Sequence, residues 1–176
     1  MTKNKHEGTM TMKRYASVQG RSTISDNSSV FTADYNSHSS TIGCYSAAST
    51  AGHKSNAYAA GDYSPADTAG NDSNAHTDGL KSNARTIRNH SHAIATGRNS
   101  NTSTFGDNSI SCSLGIKSRA RAEKGWIVLV DWRYLNNNWS IEKVHCAKVG
   151  DEINGIKIKP DCQYWFVCGN LKEKKI

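Results

Sequence analysis

The chain contains no apolar run long enough for a secretory leader or a membrane span, so the expectation is a cytoplasmic protein with no membrane partner. Hydrophobic residues make up only 36% of it and its mean hydropathy is -0.67. Those values would indicate disorder if composition were the whole story. Cysteine is sparse and odd in number: Cys44, Cys112, Cys146, Cys162 and Cys168, with no CxxC and no paired Cys/His spacing. Reduced thiols are expected, and even the six-residue separation of Cys162 and Cys168 reads as ordinary thiols rather than a metal pair.

Chemistry-bearing motifs are missing too. No serine stands in a nucleophile elbow, no glycine-rich loop matches a phosphate cradle, and no carboxylate pair recurs. A non-enzymatic protein is expected, with no cofactor and no metal.

What the sequence does contain is a nine-residue period from Ser25 to Glu123, reading G-x-x-S-x-A-x-T-x in eleven copies. Serine fills the fourth slot of every copy, from Ser28 through Ser55, Ser64, Ser73 and Ser82 to Ser118. The fourth, sixth and eighth slots alternate with variable ones, which is the period of a strand. The sixth slot holds Val30, Ser39, Ala48, Ala57, Ala66, Ala75, Ala84, Ala93, Thr102, Ser111 and Ala120, and the eighth is always Thr, Ala or Ser. Uniformly small inward residues imply a narrow interior. The fifth and seventh slots vary in size and charge, from Phe31 and Tyr58 to Asp67, His76, Arg85 and His92, so they point outward.

Glycine takes the first slot in eight copies, among them Gly61, Gly70 and Gly79, where the chain must turn. Left-handed corners are expected there, and Arg88 in the same slot predicts an altered one. Two strands and two corners make one coil. The fold expected is therefore all-β, a β-solenoid of about five to six coils rising about 4.8 Å each. Each inward hydroxyl should find a partner on the next rung or on a backbone carbonyl.

Three segments follow: a basic N-terminal cap over 1–24, the solenoid over 25–123, and an aromatic-rich antiparallel unit over 124–176 that holds all four tryptophans. Gly20, Ser22 and Ile24 echo the repeat, but a frayed cap is the plainer reading. In the last segment, 126–134 reads as a strand, 135–138 as a turn and 139–149 as the return, with strand-like pieces at 156–159 and 163–167. Such a meander would cover the open edge of the last coil, with a binding domain as the second reading.

The net charge is +7, and Arg85, Arg98, Lys117, Arg119 and Arg121, with Lys81, form a candidate basic patch in the C-terminal half. Tyr58, His76 and His92 are further outward candidates for partner contact. His38, His76 and His92 share one face without occupying adjacent rungs. The second slot holds Asp26, Asp62 and Asp107 only sporadically, so a calcium-binding roll is not expected. Outward Ile94, Ile110 and Cys112 cluster on one parity and mark a candidate dimer face.

The run from Gly61 to Ala75, then Gly115 to Ala122, then Trp126 to Trp132 and the tail from Ala147 to Tyr164, resembles nonapeptide-repeat proteins of phages and prophages. The resemblance covers about residues 25 to 170; those proteins often carry a longer globular N-terminal segment, and the expectation is that this chain departs from them there. It implies a source and an architecture but no activity. With it comes the expectation of an accessory protein that binds and blocks a host factor, such as a defence nuclease; nucleic-acid binding through the basic half is the alternative. Ice-nucleation repeats are a weaker likeness, disfavoured because Thr68, Thr77 and Thr86 lie on the inward parity. Adhesin heads share small-residue coils but require export.

Overall fold

A computed structural model describes residues 20–176; the lysines and arginines expected to form a basic cap lie outside the described residues, Arg21 excepted. Twelve short strands build the solenoid: β1 (Gly20–Thr23), β2 (Ser29–Thr32), β3 (His38–Thr41), β4 (Ala47–Thr50), β5 (Asn56–Ala59), β6 (Ala66–Thr68), β7 (Asn74–Thr77), β8 (Asn83–Thr86), β9 (His92–Ala95), β10 (Asn101–Thr104), β11 (Ile110–Ser113) and β12 (Arg119–Ala122). They are followed by β13 (Trp126–Leu135), β14 (Asn138–Lys148), β15 (Glu152–Ile153), β16 (Ile156–Lys157), β17 (Cys162–Val167) and β18 (Asn170–Lys175).

Odd-numbered strands β1 to β13 stack in one parallel sheet and even-numbered strands β2 to β12 in another, giving six coils of two strands each. Register is in steps of 18 residues, as in Ala57 against Ala75 and Ala75 against Ala93. The in/out alternation holds along each repeat strand from β2 to β12: the sixth and eighth slots are buried and the fifth and seventh are exposed or half-exposed. Strand β1 pairs Arg21 with Ser39 and Thr23 with Thr41, so the segment expected to be a frayed cap is the first strand of a further coil. Its inward residues are Arg21 and Thr23, not the Gly20 and Ser22 that echo the repeat.

The serine column is stitched in both directions. Ser64 Oγ accepts the amide of Ser46 at 3.0 Å and has two carbonyls to which it can donate, Gly43 O at 2.9 Å and Asp62 O at 3.1 Å. The same pattern recurs at Ser55, Ser73 and Ser82. One side chain thus ties three backbone points on two coils, which explains why serine alone fills that slot. Threonines at the eighth slot behave otherwise. Among the described residues the hydroxyls of Thr41, Thr50, Thr68, Thr77, Thr86 and Thr104 have no hydrogen-bond partner, contrary to the expectation for every inward hydroxyl. Their amide and carbonyl neighbours are engaged in the parallel ladder, as in Ala60 N to Thr41 O at 3.0 Å.

The corners differ from expectation in which residue bears the strain. Left-handed φ falls at the third slot, not the first: eleven residues from Asn27 to Lys117 have φ between 52 and 58°. That geometry aims third-slot amides along the stack at a second-slot carbonyl 17 residues on, for example Tyr63 N to Leu80 O at 2.9 Å. First-slot glycines are needed for close approach instead. A Cβ on Gly61, Gly70 or Gly79 would lie well under 3.0 Å from the backbone of the glycine one coil earlier. Arg88 sits in a turn of the same kind, with His90 at φ 56°, so its corner is not altered in type. Only the bond across it is longer, with Asp72 N to Asn89 O at 3.1 Å.

The C-terminal unit continues both sheets. Residues Trp126–Leu129 of β13 pair in parallel with β11, β14 returns antiparallel, and β17 docks antiparallel on β12 with β18 at its edge. Between them lies the molecule's large-residue core: Ile127, Leu129, Ile153, Ile158, Tyr164, Phe166 and Leu171 close over Ala120 and Ala122. The alanine file of Ala48, Ala57, Ala66, Ala75, Ala84 and Ala93 fills the coils beneath. Beyond Asp131 the β13–β14 hairpin runs past the corner as an arm, with Tyr134, Leu135 and Ile141 exposed.

Candidate functional site

An 18-residue coil places alternate copies on the same sheet, and this sorts the predicted residues into two faces. Arg85 (β8), Arg119 and Arg121 (β12) share the outer face of the even sheet, separated by Ser103 and Asn101 of β10. Arg98 and Lys117 are exposed at the neighbouring corner. Tyr58, His76 and His92 stand on the opposite, odd sheet. His76 and His92 lie on adjacent rungs, β7 and β9, in different columns, which corrects the expectation that these histidines avoid adjacent rungs.

The even face is richer than the sequence indicates, because β17 and β18 extend it. Trp165 lies against Arg119 with the guanidinium 4.6 Å from the ring centre, and Trp165 pairs with Lys172, as Gln163 does with Lys174. Phe105 sits between Arg85 and Arg121, at 5.0 and 4.9 Å. Arg121 is held internally: it pairs with Glu123, donates to Pro160 O at 3.4 Å and keeps only 16% of its side chain exposed. Its place in the candidate patch is therefore structural. Arg85, Arg119, Lys172 and Lys174 remain as the outward cations of the upper half. The carboxylates near them include Glu123, engaged by Arg121, Asp67, in register with Arg85 one rung below, and Glu173, which lies between Lys172 and Lys174 in β18 and pairs with Lys159 at 3.0 Å. Burial pushes the Asp67 carboxyl up, with Arg85 opposing.

The odd face is apolar toward the same end. Tyr58 meets His76 edge-on at 5.2 Å, and the column continues through Ile94, Cys112 and Val128. Burial, and secondarily Cys146, raises the Cys112 thiol.

The chain matches no family model, no curated protein and no solved structure. Among the described residues no three of His, Cys, Asp and Glu gather as a metal site, and no helix is long and apolar enough to cross a membrane. Cys162 is buried and Cys168 exposed, just beyond the far end of β17. Asp26 and Asp62, too sporadic for a calcium role, accept the amides of Cys44 at 2.7 Å and Leu80 at 2.8 Å one coil on. This coil-to-coil cap did not enter the sequence-based expectations, and the signal for it was Asp or Asn recurring in the second slot.

Behind the even face, His145 stacks on Phe166 with ring centres 4.1 Å apart. Burial, and then Lys143, hold its imidazole below the ordinary histidine value, with Asp131 opposing. The unfolded chain therefore binds the proton more readily, so stability is full above about pH 6.5 and falls as the pH drops below it. Melting followed at pH 7.5 and 5.5 is expected to show a smaller acid-side loss in His145→Gln than in the wild type. An unchanged loss would mean that other groups carry it.

Proposed function

We propose that this protein is a non-catalytic binder of single-stranded nucleic acid, using the outer face of the even sheet. The observation that carries the reading is the convergence of Arg85, Arg119, Lys172 and Lys174 with the half-exposed rings of Trp165 and Phe105 on one surface. Cations that track a phosphate backbone, alternating with rings on which bases stack, are the ingredients of sequence-tolerant strand binding.

The test is titration of a labelled oligothymidylate at several salt concentrations. Arg85→Glu, Lys172→Glu and Lys174→Glu combined are expected to weaken binding at low salt at least about tenfold and to flatten the log–log salt slope by about 2. Ile94→Glu, on the opposite face, should leave both quantities alone. A triple variant that melts normally and binds with unchanged slope would sink the proposal.

The apolar column of the odd face supports a second reading, in which Tyr58, His76, Ile94, Cys112 and Val128 dock a protein. A host factor blocked by a phage accessory protein, or a second copy of this chain, belongs to that reading. A stoichiometric protein partner that survives nuclease treatment and is lost in Ile94→Glu would favour it.

A further inference from the structure

Where β13 leaves the solenoid, its arm and the top corner enclose a cleft of about 700 Å³. Trp132, Arg133, Tyr134 and Trp139 of the arm line it together with Lys117, Arg119 and Trp165, and among the described residues no aspartate or glutamate does. The rings are fixed before any ligand arrives. Trp132 Nε1 donates to Leu114 O at 2.9 Å, Trp165 is held by the Arg119 guanidinium, and Tyr134 and Trp139 form a cross-strand pair with centres 5.1 Å apart.

Preset aromatic walls with Lys117 and Arg119 among them, and with Arg133 held by Glu142 at 3.3 Å, suit a planar body that carries negative charge. A sugar would need several carboxylates and amides for its hydroxyls, where the described residues of the cleft offer the single amide of Asn99, and a purely apolar peptide would gain nothing from Lys117. A nucleotide uses both features, its base against the rings and its phosphate on the cations. Because Arg119 and Trp165 belong to the cleft and to the even face alike, a strand lying on that face reaches the cleft without a break. We propose that the cleft seats the terminal nucleotide of the bound strand, so that the protein recognises strand ends. This rests on the nucleic-acid reading.

Three probes test it: a long linear oligothymidylate, the same strand circularised, and the 5′-phosphorylated dinucleotide. The linear strand is expected to bind about tenfold more tightly than the circle, and Trp139→Ala or Tyr134→Ala should remove that preference while leaving circle binding intact. The dinucleotide should quench tryptophan emission in the wild type, and less so in Trp139→Ala. Equal binding of line and circle, with no quenching by the dinucleotide, overturns end recognition while the even-face reading stands. If no strand binds the wild type, that reading falls and this inference with it.

Discussion

Replacing Gly79 by alanine is expected to destabilise the solenoid by about 3 kcal/mol, the upper end of overpacking costs. In a domain of this size that lowers the melting temperature by roughly 9 °C. The added Cβ would press on the backbone carbonyl of Gly61, one coil down, and Gly97 stacks on Gly79 from the other side. Backbone cannot rotate away as a side chain can, so the coils must part and stretch their ladder bonds. Gly155→Ala separates this cause from strain in φ: Gly155 has φ +76° and, its chain neighbours aside, no atom of the described residues within 4 Å of the point where a Cβ would stand. Its substitution should cost about 1 kcal/mol. Arg88 is a natural version of the experiment, a side chain in the glycine slot above Gly70. The third-slot bond there is 3.1 Å, against 2.9 to 3.0 Å at the other eight. If Gly155→Ala costs as much as Gly79→Ala, close approach is not what glycine provides.

The misplacement of strain shows where sequence reasoning loses its grip. Period and parity were legible because inward residues are chemically uniform, and uniformity survives projection onto one dimension. The left-handed position was harder to see, since tyrosine, lysine and histidine share it with Asn27, Asn36, Asp72, Asn99 and Asn108. Asparagine and aspartate at five of eleven third slots were the available signal, being the residues that tolerate this region best after glycine. Glycine at slot one drew attention for the wrong reason, because a glycine required by a neighbouring coil looks the same in sequence as one required by φ.

The candidate site divides in the same way. That Arg85, Arg119 and Arg121 share a face follows from the 18-residue coil and was legible. That Trp165, Lys172 and Lys174 join them depends on β17 docking antiparallel on β12, which no periodicity encodes. The internal role of Arg121 was hidden for a related reason: its partners, Glu123 and Pro160, include one that only the docked C-terminal unit brings near. The aromatic cleft takes Lys117 and Arg119 from the last repeat, but its rings, Trp132, Tyr134, Trp139 and Trp165, come from the C-terminal unit, and no periodicity brings them together.

Ala75→Leu tests the narrow interior directly, and its expected cost is about 3 kcal/mol or more. Ala75 is fully buried, in register with Ala57 on one rung and Ala93 on the next, both themselves buried. In an ordinary core a larger side chain is accommodated when neighbours change rotamer, but alanine has no rotamer to change. Rung separation is set at about 4.8 Å by the backbone ladder, so the coils cannot spread without breaking bonds on both sides. Tyr58 is the counterpart on the outer surface of the adjacent rung: its ring is half-exposed and meets His76 edge-on at 5.2 Å. Tyr58→Ala removes far more atoms yet should cost only about 1 kcal/mol, the worth of one aromatic contact. Thermal melts of the two variants therefore ought to differ by several degrees, in the order opposite to the size of the change. Equal shifts would mean that the interior yields, and that the small residues of the sixth slot reflect something other than a fixed lack of room.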